Sequence, residues 1–143
     1  MTHDEIHAFV DRFARAWSAQ DLDALLECYD ERAEVVSPVF RTVNGIAAIE
    51  RSFQDLFLAF SSVSTDVHDI VIDAVAQGAV LVFTTHATQQ GEFLGFPGSG
   101  RRTSTQMAFV FHFRGGRIIS ERRLYDFTGV LMQLGILKAR GAK

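Results

Sequence analysis

Two hydrophobic periods divide the chain. Ile6, Val10, Phe13 and Trp17 recur three or four residues apart, behind a Thr2 and Glu5 spaced as a capping box, and predict a first helix running to about Ala19. Asp21 is placed to cap a second, short helix whose Leu22, Leu25, Leu26 and Tyr29 share one face. Ala33 to Ser37 reads as a brief strand stopped by Pro38. Asn44-Gly45 opens a third helix, with Ile46, Ile49, Phe53, Leu56, Phe57 and Phe60 along one side, ending before Ser61-Ser62.

Beyond that break the pattern alternates. Val63 to Ala76, Ala79 to Phe93, Thr103 to Arg114 and Arg117 to Phe127 are rich in Val, Ile, Thr and Phe and predict four long strands. Gln77-Gly78 and Gly115-Gly116 are hairpin signals, and Gly95 to Gly100 forms a longer loop between the middle two strands. Thr128 to Gly135 predicts a last helical turn, leaving Lys138 to Lys143 as a frayed tail. Helices first and strands afterwards imply the α+β class, a curved antiparallel sheet with helices over one face. With no repeat or linker, residues 1–143 read as one domain.

Composition sharpens this picture. The chain is 48% hydrophobic, enough at its length to enclose a core and an internal pocket, and its 13 Phe against two Tyr and one Trp imply inert apolar walls. A net charge of −3 offers no broad attraction for phosphate backbones, so nucleic acid is not expected as a partner. The lone Cys28 cannot form an internal disulfide, the N-terminus lacks a signal-peptide pattern, and no run approaches the roughly 18 apolar residues of a membrane span. A cytoplasmic protein with no membrane partner is expected.

Several motifs fail on inspection. His3 and His7 have the spacing of a zinc helix, but Asp4 stands where the general-base Glu belongs and no third ligand is evident. Gly95 and Gly100 have P-loop spacing, but Arg101 and Arg102 replace the Lys and Ser/Thr, and a strand follows instead of a helix. Ser99 lacks the glycine of a nucleophile elbow, because Pro97 stands there. No metal and no cofactor are expected.

Four residues carry more. His86 and His112 lie within strands, where a histidine is either a hydrogen-bonded structural residue or a functional one. Arg122 shares strand parity with Asp126. Asp126, between Tyr125 and Phe127, is either a cap for Thr128 to Leu131 or a base whose pKa burial raises. One β-bulge would exchange the face of Arg122 and Asp126 for that of Glu121, Arg123 and Tyr125.

The segment Gly91-Glu92-Phe93-Leu94-Gly95-Phe96-Pro97-Gly98-Ser99-Gly100-Arg101, followed by Gly116-Arg117-Ile118, Glu121, Asp126, Leu131 and Gln133-Leu134-Gly135, resembles the SnoaL-like polyketide cyclases of the nuclear transport factor 2-like superfamily. The resemblance implies a cone, a bent antiparallel sheet wrapped around helices with an apolar pocket between them, commonly dimeric. It also implies a cofactor-free aldol ring closure with an acidic residue at Asp126 as acid/base. Arg122 stands where a Trp is usual, and Gln89 where a His precedes the Gly-Glu pair. Ketosteroid isomerases are similar through the second helix, but their Tyr acid falls at Phe13 and their Asp base at Ser37. The Arg-x-Asp of limonene-epoxide hydrolases falls near Thr84 to Thr88, where no charge exists.

Two function classes follow as expectations. One is a cofactor-independent cyclase or related lyase or isomerase acting on an apolar, carbonyl-bearing small molecule, with Asp126 catalytic. The other is a non-catalytic ligand-binding or accessory domain in which Asp126 is only a cap. Helical faces and family position give pocket walls of Phe13, Trp17, Ser37, Phe53, Phe57, His86 and Tyr125. The strand carrying Phe109, Phe111 and Phe113 also bears Ala108, Val110 and His112 on its other side, which implies a homodimer through the outer sheet face.

Overall fold

A computed structural model of the chain describes residues 1–138, so most of the tail expected to fray lies outside the described residues. The Thr2 hydroxyl accepts from the Glu5 amide and the Glu5 carboxylate accepts from the Thr2 amide, which closes the capping box of α1 (His3–Ala19). Asp21 caps α2 (Leu22–Glu27) by accepting from the Ala24 amide. Gly45, at a φ of 85° that favours glycine, turns the chain into α3 (Ile46–Ala59). No helix among the described residues is long and apolar enough to cross a membrane.

Six strands make one sheet: β1 (Tyr29–Ser37), β2 (Arg41–Asn44), β3 (Phe60–Asp73), β4 (Gly78–Gln89), β5 (Arg102–Arg114) and β6 (Arg117–Tyr125). Their order is β2-β1-β6-β5-β4-β3, antiparallel except for the parallel pair β1 and β6. A short α4 (Phe127–Gln133) follows. Two strands exceed the sequence expectation. β1 begins four residues before Ala33 because Tyr29 is buried while Asp30, Glu31 and Arg32 face outward, so no alternation marks its start. β2 is four residues of an exposed edge with a single half-buried apolar side chain, Val43, too little to give a period.

The sheet bends where its registers slip. β3 loses register with β4 between Ser61 and Ser64, where Ser62 takes a φ of 52°, and again between Val67 and Asp69. The concave face presents Leu81, Phe83, Phe109, Phe111, Phe113 and Ile118 to the helices, and α1 inserts Phe9, Phe13 and Trp17 among them. Phe13 meets Phe111 edge-on with centroids 5.0 Å apart, and Phe83 meets Phe109 at 4.9 Å. Cys28 is buried beside this core, and burial pushes its thiol up to about 11.

The loop between β4 and β5 is fastened rather than free. The buried Gln89 amide donates toward the carbonyls of Gly91, Phe96 and Pro97 and accepts from the Ser99 hydroxyl at 2.7 Å. Gln90 and Gly91 donate their amides to the Ala59 carbonyl, which ties the loop to the end of α3. A methyl group at Gly91 would collide with the Leu58 carbonyl. Gly91→Ala should therefore lower stability by about 1–3 kcal/mol, read as a lower denaturation midpoint in urea with unchanged slope.

Candidate functional site: an apolar pocket over a buried ion pair

The pocket follows from the face that β6 turns inward. Pairing with β5 runs Phe113 to Ile118 and then His112 to Ser120, so Ile119 is an extra residue and the strand bulges there. Beyond the bulge, Glu121, Arg123 and Tyr125 point into the cone, while Arg122 and Leu124 face solvent.

Glu121 is wholly enclosed and uses both carboxylate oxygens. Oε1 accepts from the Tyr29 hydroxyl at 2.6 Å, and Oε2 accepts from Arg123 Nε at 2.6 Å. Arg123, 5% exposed, lies with its guanidinium carbon 5.1 Å from the Phe53 ring centre, 5.3 Å from that of Phe109 and 5.4 Å from that of Trp17. Burial opposes the arginine's charge, but the Glu121 carboxylate and the Tyr29 oxygen outweigh it, and its pKa lies above the ordinary value. Burial and the Glu121 charge together hold the Tyr29 phenol well above its usual range.

Above this pair opens a cavity of about 80 Å³. Trp17 of α1, Leu56 and Phe57 of α3, Ser37 of β1, and Phe127 and Val130 of α4 form part of its wall. The sheet supplies Thr85, Ala87, Thr103, Thr105, Met107, Phe109, Arg123 and Tyr125, and Phe93 reaches in from the loop. Trp17 Nε1 donates to the Thr85 hydroxyl at 3.2 Å, so the indole is fixed. Tyr125 has no hydrogen-bond partner for its hydroxyl among the described residues, and burial pushes its phenol up to about 12. Among the described residues no group of three or more acidic, His or Cys side chains is gathered as metal ligands would be.

The sequence pattern of SnoaL-like polyketide cyclases matches residues 7–134. The chain belongs to the SnoaL-like polyketide cyclase family. Among curated proteins no sequence matches it. Among solved structures it is similar to AclR from Streptomyces galilaeus, at 23% identity and a TM-score of 0.83 over 96% of this chain and 100% of that one. It is also similar to TsrD from Streptomyces laurentii, at 23% identity and 0.82 over 96% and 99%. An LEH-like epoxide hydrolase from M. tuberculosis shares 16% identity with a TM-score of 0.72 over 92% and 90%. At these identities the structures show the shared fold alone.

The SnoaL-like fold brings some predicted residues together and separates others. Trp17, Ser37, Phe57 and Tyr125 border the cavity. Phe13 and Phe53 are fully buried one layer behind it, Phe13 in the α1 core and Phe53 against Arg123. His86 is a correction: it lies on the outer sheet face, where Nδ1 meets the Ser104 hydroxyl at 2.7 Å and Nε2 the Asp66 carboxylate at 2.9 Å. Its neighbours Thr85 and Ala87 hold the inward positions. Asp126 is a second correction: it is exposed, accepts from the Gly129 amide at 2.9 Å as the cap of α4, and is absent from the pocket wall. The β6 bulge is the physical reason, since it leaves Tyr125 as the strand's last inward residue.

Sequence reasoning named Glu121 and Arg123 only as the alternative face. The available signal was their opposite charge two residues apart, followed by Tyr125 at the same spacing. Removing one member of such a pair strands a buried charge. Arg123→Met or Glu121→Leu alone should each cost about 3–5 kcal/mol, while the double variant should recover a large part of that loss. Urea midpoints of the cycle measure this, and additive single losses would contradict the coupling.

Proposed function

We propose that the cone receives an apolar, carbonyl-bearing small molecule and that the Tyr125 hydroxyl meets its oxygen. The observation that carries this reading is a phenol without a protein partner among the described residues on a largely apolar wall, kept protonated and therefore a donor. Between ring-closing enzyme and binding domain, the geometry favours binding. Abstracting a proton alpha to a carbonyl needs a base within hydrogen-bond reach. No carboxylate or imidazole lines the described pocket, Glu121 is spent on Tyr29 and Arg123, and Asp126 is spent on the α4 cap.

Trp17 is the single Trp and lies in the pocket wall, so its fluorescence reports occupancy directly. Titration with 2-decalone should change that emission, and Tyr125→Phe should weaken binding by about 2- to 12-fold, as one hydrogen bond of ~0.5–1.5 kcal/mol requires. Decalin should bind both proteins alike, and Asp126→Asn should leave 2-decalone affinity unchanged. Ring closure of a linear β-keto ester by the wild type, abolished in Asp126→Asn, would instead establish the acid/base enzyme.

We also propose a homodimer through the outer sheet face. Val71, Val80 and Val110 stand in register there, beside Val82, Ala108 and Leu124, and Val71 is 61% and Leu124 56% exposed. Light scattering should give twice the chain mass at micromolar concentration, and a monomer would defeat the assignment.

A further inference from the structure

Arg123 offers one hydrogen-bonding edge that the protein does not use. Its Nε is taken by Glu121, and Nη2 lies 3.5 Å from the Tyr29 hydroxyl. Aromatic rings of Trp17, Phe53 and Phe109 pack around the guanidinium. Nη1 has no hydrogen-bond partner among the described residues, yet every fully enclosed side-chain nitrogen and oxygen among them has one. Nη1 is therefore not fully enclosed, and the space that Arg123 borders is the pocket.

We propose that this edge is an oxyanion-recognising subsite, in which Arg123 Nη1 donates to the enolate oxygen of a β-dicarbonyl ligand while Tyr125 donates to the second oxygen. The proposal rests on the reading of the cone as a pocket for apolar carbonyl compounds and specifies which of them it prefers. Arg123 and Tyr125 are successive inward residues of β6, on the order of 7 Å apart along the strand, a span that two side chains of this length bridge around one ligand. A carboxylate is the poorer match, because its two oxygens favour a paired guanidinium fork and Nη2 is already turned toward Tyr29.

Charge arithmetic agrees with an enolate. Glu121 neutralises Arg123, so the empty pocket carries no net charge from the pair and tolerates apolar walls. The donor edge is nevertheless rigid, held by Glu121 behind and by rings around, so it presents its N–H without reorganisation. Binding of the enolate releases the ligand's acidic proton to bulk water, and no protein base is required. An apolar pocket lacking such a donor would act oppositely, raising the ligand's pKa by desolvation. The direction of that shift decides between the two.

The probe is 2-acetyl-1-tetralone, with the non-enolisable 2-acetyl-2-methyl-1-tetralone as control, each titrated into the wild-type protein. The enolate absorbance of the bound probe should reach its midpoint at least about one pH unit below that of the free compound, equivalent to ~10-fold tighter binding of the enolate than of the neutral form. Tyr125 and Arg123, which border the subsite, and Tyr29, which packs behind Arg123 with Glu121, all have pKa values displaced upward, so the phenols stay neutral and the guanidinium stays charged below about pH 9. The control should quench Trp17 without this dependence.

If both compounds bind and the midpoint is unmoved or raised, the oxyanion subsite is wrong and the pocket reading stands. If neither binds, the pocket reading itself falls and takes the subsite with it. Arg123→Met should return the midpoint to or above the free value while still binding the control, and a midpoint that stays low in this variant would overturn the role of Nη1. Should the variant fail to fold, the wild-type midpoint and the Glu121→Leu/Arg123→Met double variant give the same decision.

Discussion

A guanidinium can sit inside an apolar cone only if its charge is answered where it lies, and the architecture of this protein is arranged around answering Arg123. Glu121 supplies the counter-charge from the same strand, and Tyr29 supplies the hydroxyl that completes the carboxylate's hydrogen bonds. Tyr29 opens β1, so the triad requires β1 to lie beside β6, which is the one parallel pairing among the described residues. The rings around the cation come from α1, α3 and β5, so both long helices must meet the sheet at this point. A slip of one residue in β6 would bury Arg122 and expose the pair, which gives the Ile119 bulge its importance. Such a pair adds little net stability compared with apolar residues of similar shape. Its consequence is that competing registers become costly.

The same constraint explains what was legible beforehand. Helix positions were readable because capping residues and apolar stripes are local signals: Thr2, Asp21 and Gly45 mark their starts in the structure as in the sequence. Strand existence was readable for the four long strands, but strand parity was not. On β4, the inward Leu81, Phe83, Thr85 and Ala87 alternate with outward Val80, Val82, Thr84 and His86, so both faces mix apolar and polar side chains. Nothing in that run tells which face His86 shares. On β6 the bulge reverses the parity counted from the Gly115-Gly116 turn, which moved Asp126 out of the pocket and brought Glu121 and Arg123 in.

The loop after β4 shows how an unusual residue can keep a pocket's shape without doing chemistry in it. Gln89 stands where the sequence resemblance implies a histidine, and its amide is consumed by the carbonyls and hydroxyl of its own loop. That fastening holds Phe93 with its ring 5.0 Å from Phe60, so the loop contributes an aromatic wall to the pocket. The glycines that imitate a phosphate-binding loop permit this close folding: Gly95 and Gly100 take positive φ, and Gly98 passes against the Gln90 carbonyl. Their spacing reflects backbone geometry.

Asp126 acts on the pocket through the backbone. By accepting from the Gly129 amide it starts α4 immediately after Tyr125, and α4 then delivers Phe127 and Val130 to the pocket wall. Asn at an N-cap accepts the same hydrogen bond about as well as Asp, whereas Ala does not. Charge at position 126 is therefore expendable for the wall's shape, while the cap is not. A role in proton transfer would reverse that ranking, because Asn cannot take up a proton at neutral pH and Asp can. The two roles separate on a single pair of substitutions, and the exposed, cap-bound carboxylate accords with the structural one.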